Sequence, residues 1–176
     1  MRLNEDPELD GVRRVAELMC VAARTAPKGR GVDMISTAIV EELEEREQIA
    51  AKMREIGERC GAEFFSRDAQ NVLDAQVLVL LGTGLRRMRL PECGLCGFPD
   101  CDAAEDARAR CAFNAGDLGI ATGSAVGVAA DHRVDNRVMF TVGRAAAELG
   151  LLGNDVAIAW GIPLSAMGKD PFFDRK

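Results

Sequence analysis

The chain has 176 residues, a net charge of −6 and 48% apolar residues. That is ample length for one domain with its own core, and the acidic balance excludes general binding to nucleic acid or to anionic membranes. No run approaches 18 consecutive apolar residues, so no membrane span is expected; six cysteines without a secretory signal suit a reducing cytoplasm.

Residues 1–7 are polar. A helix is predicted from Glu8 to Arg24, because Val12, Val15, Leu18, Met19 and Ala22 repeat on one face. Cys20 lies within it and reads as a buried, inert thiol. The stretch TAPKGRGVD (25–33) breaks this helix at Pro27, Gly29 and Gly31. Lys28 and Arg30 add positive charge there, and Asp33 is a candidate cap for the next helix. Such a loop either holds an anion beside free helix N–H groups or is an ordinary solvated turn. The next helix is predicted from Met34 to Arg59, with Ile35, Ile39, Leu43, Met53 and Ile56 inward. Its charge run EELEEREQ (41–48) reads as a solvated face, and Cys60 as a spare thiol.

Ser66 is a candidate N-cap for a short helix reaching Ala75. Val77–Leu81 is continuously apolar and reads as a buried strand, bounded by Gly82 and Gly84. Gly82-Thr83-Gly84 would let backbone approach a ligand, although a lone G-x-G is weak. Arg86, Arg87 and Arg89 follow, as a patch for an acidic redox partner or as a solvated rim.

The chemistry concentrates next, in CGLCGFPDCDAAEDARARC (93–111). Cys93, Cys96, Cys101 and Cys111 are spaced C-x2-C-x4-C-x9-C. Thiolates suit iron–sulfur clusters and zinc, and a four-iron cluster takes four cysteines. Gly94 and Gly97 tolerate φ > 0 and can turn backbone N–H groups toward cluster sulfurs. A [4Fe–4S] cluster is the leading reading. Zinc usually takes paired C-x2-C motifs or mixed Cys/His sites, and the only histidine, His132, is distant. Unligated thiols are the third reading. The helix-forming run between Cys101 and Cys111 carries the chain away from the site, so Cys111 has to return to it.

Small residues at Ala121, Gly123, Ala125, Gly127, Ala129 and Ala130 point to close packing by another helix, a subunit or a flat ligand. His132 reads as a turn residue. A helix is predicted over 136–149, with Val138, Val142 and Leu149 in the core and Gly150 at its end. Asp155–Trp160 reads as a second buried strand, ended by Gly161 and Pro163. The tail carries Lys169, Arg175 and the pair Phe172–Phe173, which need burial. With no repeat and no linker, 1–176 is predicted as one domain containing a cysteine-rich loop over 91–112.

CGLCGFPDC resembles the CG-x-CG-x-x-x-C loop of the four-iron domain in the B subunit of bacterial ion-translocating ferredoxin oxidoreductases and in corrinoid iron–sulfur proteins. Its gap before Cys111 is shorter than in that domain. ARTAPKGRGVD (23–33), CGLCGFPDC (93–101), CAFNAGDLGIATGSAV (111–126), VDNRVMFTVGRAA (134–146) and GIPLSAMGKDPFFDR (161–175) together resemble an uncharacterised ferredoxin-domain-containing family, which implies a cluster and names no reaction. The element order is also similar to the flavin-dependent nitroreductases, through ARTAPKGRG, DLGIATGSAVGVAA and AELGLLGNDVAIAWGIP. That likeness implies an α+β fold, with helical layers around a small mixed sheet, a homodimer, and FMN at the subunit interface. The N-terminal R-x-S-x-R run that grips the flavin phosphate is missing, and Lys28 stands at the family's serine. Lys28, Arg30 and Arg175 are then the candidates for a phosphate. A redox partner protein is the implied partner.

Overall fold

The structure, a computed structural model, describes residues 3 and 5–173. A four-stranded sheet lies between two helical layers. Its strands are β1 (Ile35–Val40), β2 (Val77–Gly84), β3 (Asp135–Asn136) and β4 (Val156–Ser165), in the order β1-β2-β4-β3. One face carries α1 (Glu5–Thr25) and α5 (Ala112–Asp131); the other carries α2 (Leu43–Cys60), α3 (Phe64–Asp74) and α6 (Phe140–Glu148). A short helix, α4 (Cys101–Asp106), lies between β2 and α5.

β2 is the spine. Every residue from Val77 to Gly84 is buried. Side chains alternate between faces along a strand, so Val77, Val79 and Leu81 enter the α1–α5 core while Leu78 and Leu80 enter the α2–α3–α6 core. Burying each such aliphatic side chain contributes about 1.5–3 kcal/mol. The strand reading of 77–81 therefore holds, and the strand extends through the two glycines. The space above Gly82 is filled by Val156 and Leu152, and that above Gly84 by Met34. Gly82-Thr83-Gly84 is thus a packing device in this fold.

Three sequence expectations change. The helix predicted from Met34 is a strand for its first part: ISTAIV (35–40) pairs antiparallel with β2, from Ile35 opposite Thr83 to Val40 opposite Leu78. The i, i+4 spacing of Ile35 and Ile39 imitated a helix, but the run is rich in β-branched residues. Asp33 Oδ1 does accept a backbone bond, from Ile35 N at 2.9 Å, and so starts a strand. Second, β4 continues through Gly161 and Pro163 to Ser165. Gly161 turns its N–H and C=O to Met139. Pro163, two residues on, presents its missing N–H to the same side, where the chain between β3 and α6 has left the sheet. Third, all pairings are antiparallel, where a mixed sheet was expected. Two helices, α2 and α3, separate β1 from β2, and a crossover with two helices returns the chain in the opposite sense.

Smaller corrections follow from packing. Ser66 lies inside α3, whose N-cap is Glu63. Val138 and Leu149 are exposed, while Val142 is fully buried. Phe172 is buried, whereas Phe173 stays exposed with the Arg137 guanidinium 5.3 Å above its ring. Cys20 packs against the core and burial pushes its thiol up, against a hydrogen bond with Thr37 and the charge of Arg24. His132 is exposed just past α5, its Nδ1 2.8 Å from the Val128 carbonyl.

The alanines and glycines of α5 divide between its two faces. Leu118, Ala121, Ala125 and Ala129 are buried, in the core shared with α1. Gly116, Gly119, Gly123 and Gly127 lie on the opposite face, and a Cβ at any of them would meet nothing within 4 Å among the described residues. No described helix is long and apolar enough to cross a membrane.

Candidate functional site: a four-cysteine cavity

After β2 the chain runs without regular structure to Asp100, crossing Cys93 and Cys96. Asp100 then caps α4: its Oδ1 accepts from Ala103 N at 2.8 Å. That cap places Cys101 at the first helical position. Beyond α4 the chain reverses, and Cys111 becomes the N-cap residue of α5. All four cysteines line one cavity, with Met88, Phe98 and Phe113 among its apolar walls. Cys111 lines this cavity with the other three, the helix after Cys101 being short and ending at Asp106. All four are free thiols, partly buried.

The loop is held in unusual backbone. Gly94 and Gly97 have φ of 55° and 84°, and Gly97 N bonds to Gly94 O at 2.9 Å. Arg89, Glu92 and Arg108 also adopt left-handed φ, which a residue with a Cβ rarely does. Each costs roughly 1–3 kcal/mol and persists only where surroundings enforce it.

Arg87 is the main enforcing group. Its Nε donates to the Cys101 carbonyl at 3.1 Å, and its Nη2 to Ala104 O at 3.0 Å and Ala109 O at 3.4 Å. The side chain is only 14% exposed. Arg89 bonds to Asp102 and Glu105 on the outer side. Two of the three arginines in the sequence patch therefore brace the cysteine loop. Arg87→Ala is expected to strip amide-exchange protection from 100–111 and leave the sheet protected. Hydrogen bonds to a charged group contribute about 1.5–3 kcal/mol each, so a local loss of about 3 kcal/mol is expected. Hydrogen exchange checks this, and Arg87→Lys should fail too, since a point ammonium cannot span three carbonyls.

The space between the cysteine side chains is about 20 Å3, room for one water. Among the described residues, no three His, Cys, Asp or Glu side chains converge closely enough to hold a single metal ion. A four-iron core asks for a wider spread, because each cysteine holds its own iron. Four free thiols around one apolar cavity fit such a group in donor chemistry, and the loop has to open outward to admit it.

An open apolar groove of about 410 Å3 adjoins the cavity and shares Leu95, Ala112 and Phe113 with it. Pro27, Lys28 and Gly29 form its far wall. A Cβ on Gly29 would meet the Phe113 ring at 2.8 Å, and Gly29 N donates to Asp117 Oδ1 at 2.9 Å. Asp117 thus pins the 27–29 loop onto α5. The Lys28 ammonium donates to the carbonyls of Ala23, at 2.8 Å, and Arg24, closing the end of α1. Arg30 Nη1 donates to Met88 O at 2.9 Å. Both phosphate candidates are engaged by backbone carbonyls, and Arg175 lies outside the described residues. Asn114 and Asp117 were missed in the sequence. Their signal was two polar residues three apart, on the face of α5 that Leu118 and Ala121 continue.

The family described as "uncharacterized protein containing a ferredoxin domain" (DUF2148) matches residues 107–175. That stretch holds Cys111 and none of Cys93, Cys96 and Cys101. An uncharacterised protein of Archaeoglobus fulgidus is 44% identical over 184 residues, covering 99% of this chain and 98% of its own. Among solved structures, a nitroreductase family protein from Clostridium novyi NT has a TM-score of 0.60 at 15% identity, covering 99% of this chain and 79% of that one. A BluB-like flavoprotein from Clostridium difficile 630 scores 0.56 at 15% identity, covering 96% and 85%. An NADPH:FMN oxidoreductase from Vibrio harveyi scores 0.56 at 14% identity, covering 100% and 65%. At such identities the likeness is one of fold, and the fold is nitroreductase-like, as the element order had led us to expect. By its sequence, the chain belongs to the family of uncharacterised proteins that contain a ferredoxin domain.

Proposed function

We propose that this protein is an iron–sulfur protein that passes single electrons, with Cys93, Cys96, Cys101 and Cys111 holding one [4Fe–4S] cluster. The observation that carries the reading is that all four cysteines, gathered from a loop and two helix starts, line one cavity. The ferredoxin-domain family fits iron–sulfur binding in general terms. When bound, such a cluster supplies one-electron transfer. The chain's part is to supply the four thiolates, turn backbone at Gly94 and Gly97 toward them, and hold the return to Cys111 through Arg87. The partner is a redox protein that reaches the exposed Leu95 side of the loop. A homodimer in a cytoplasmic setting completes the reading; the open glycine row of α5 leaves room for a second copy to approach closely.

A second reading is an FMN-dependent oxidoreductase of nitroreductase type. The groove beside the cysteine cavity favours it, as do the flavoprotein neighbours. Lys28 and Arg30 would have to exchange their carbonyl partners for a flavin phosphate, with Arg175 joining them. A third reading is zinc or bare thiols in a structural role.

Reductive titration under anaerobic conditions separates these readings. The first predicts a broad visible band that bleaches with one electron per chain and returns on reoxidation. A flavin-shaped spectrum that takes up two electrons supports the second. A colourless chain after reconstitution, with or without zinc, overturns both.

A further inference from the structure

Asn114 lies on the first turn of α5, three residues after Cys111. It is 1% exposed. Its Oδ1 accepts from the backbone N–H of Arg86 at 3.0 Å. A backbone N–H can only donate, so this contact fixes which end of the amide is oxygen. The other end, Nδ2, is enclosed by protein and has no partner among the described residues. An enclosed donor without a partner costs about 1–3 kcal/mol. The Arg86 contact uses only the amide oxygen. The amide protons are therefore not explained by the Arg86 contact.

Position in α5 gives them a direction. Helix side chains lean toward the N-terminus. The third helical residue therefore lies over the N-cap residue, the geometry used by capping boxes. Here the N-cap is Cys111 and the third residue is Asn114. Cys111 makes no side-chain cap bond, and Ala112 and Phe113, between the two, line the cysteine cavity. The start of α5 thus carries a spare amide donor three residues from Cys111, at the positive end of the helix dipole.

We propose that Asn114 donates a hydrogen bond through Nδ2 to the Cys111 sulfur when that thiolate is a cluster ligand, and thereby raises the cluster's reduction potential. The proposal rests on the iron–sulfur reading. Hydrogen bonds to ligand sulfur favour the more negative, reduced state. Asn114 is then the residue that tunes the fourth ligand, while Arg87 holds the loop that carries the third.

The test uses the full chain, wild type, Asn114→Leu and Asn114→Asp, each reconstituted anaerobically. Iron content is measured first. The reduction potential of the cluster and the melting temperature of the metal-free protein follow. Asn114→Leu is expected to lower the potential by about 59 mV, a tenfold shift in the oxidised-to-reduced ratio for one electron. Asn114→Asp keeps an acceptor for the Arg86 N–H but buries an unpaired carboxylate, so its metal-free melting temperature should fall and its potential should fall further than that of Asn114→Leu. A Leu variant that melts lower but keeps the wild-type potential would show that Asn114 is only a structural partner of Arg86, and the proposal would be wrong. A wild-type chain that takes up no iron would overturn the iron–sulfur reading itself and the proposal with it; loss of the potential shift alone overturns only the role of Asn114.

Discussion

Cys96→Ser is expected to abolish cluster assembly: iron per chain falls from about four to near zero and the visible band disappears. A serine hydroxyl is a hard, protonated donor at neutral pH and replaces a soft thiolate poorly. Cys96 lies between two positive-φ glycines and lines the cavity. Cys111→Ser should behave alike, because Cys111 lines the same cavity although nine residues separate it from Cys101. Cys60→Ser is the control. Cys60 is exposed at the end of α2, with its sulfur 3.8 Å from the Gly57 carbonyl, and its loss should leave iron content unchanged. Iron and sulfide assays on the three variants check the whole set. Iron retained by Cys96→Ser and lost from Cys60→Ser would move the ligand set elsewhere.

The largest effect on stability is expected from Gly143→Ala. Gly143 faces β4 so closely that a Cβ would lie 1.8 Å from the Ala159 carbonyl oxygen and 2.2 Å from its carbon. Backbone cannot yield as a flexible side-chain tip does. The contact is reciprocal: Val142 fills the space above Gly161, where a Cβ would come within 2.1 Å of Val142 Cγ1. Adding one methyl would lift α6 from the sheet and expose Val142, Ala145 and Ala146, now fully buried. Overpacking of this kind costs about 3 kcal/mol or more, a fall in melting temperature of about 6–12 °C for a chain this size. Gly123→Ala gives the contrast. Its Cβ would meet open space on α5, and alanine is favoured over glycine inside a helix by about 1 kcal/mol. Thermal unfolding of the two variants should therefore move in opposite directions.

The sequence spoke most clearly where one physical demand acted alone. Val77–Leu81 had to be buried on both faces, and a continuous apolar run can meet that demand in only a few ways. The four cysteines read as one group in the sequence, and all four line one cavity. Legibility failed where two demands overlapped. Ile35 and Ile39 satisfy both a helical face and a pleated edge, and only the pairing with β2 decides between them. Pro163 looked like a strand end because its tolerance depends on which side of β4 lacks a neighbour. The arginines after β2 looked like a surface patch, because nothing local says that Arg87 folds inward onto three carbonyls. Lys28 looked available to an anion for the same reason: the carbonyls that engage it belong to the end of α1. Asn114 is the instructive case, since its isolation becomes visible only once the burial of Nδ2 and the placement of Oδ1 are both known.

The most direct measurement is the iron and acid-labile sulfide content of the chain, purified and reconstituted without oxygen, with its visible spectrum. A four-cysteine cluster site predicts about four irons and four sulfides per chain, and a broad visible band. A colourless protein holding neither, or holding only zinc, after the same treatment would contradict it.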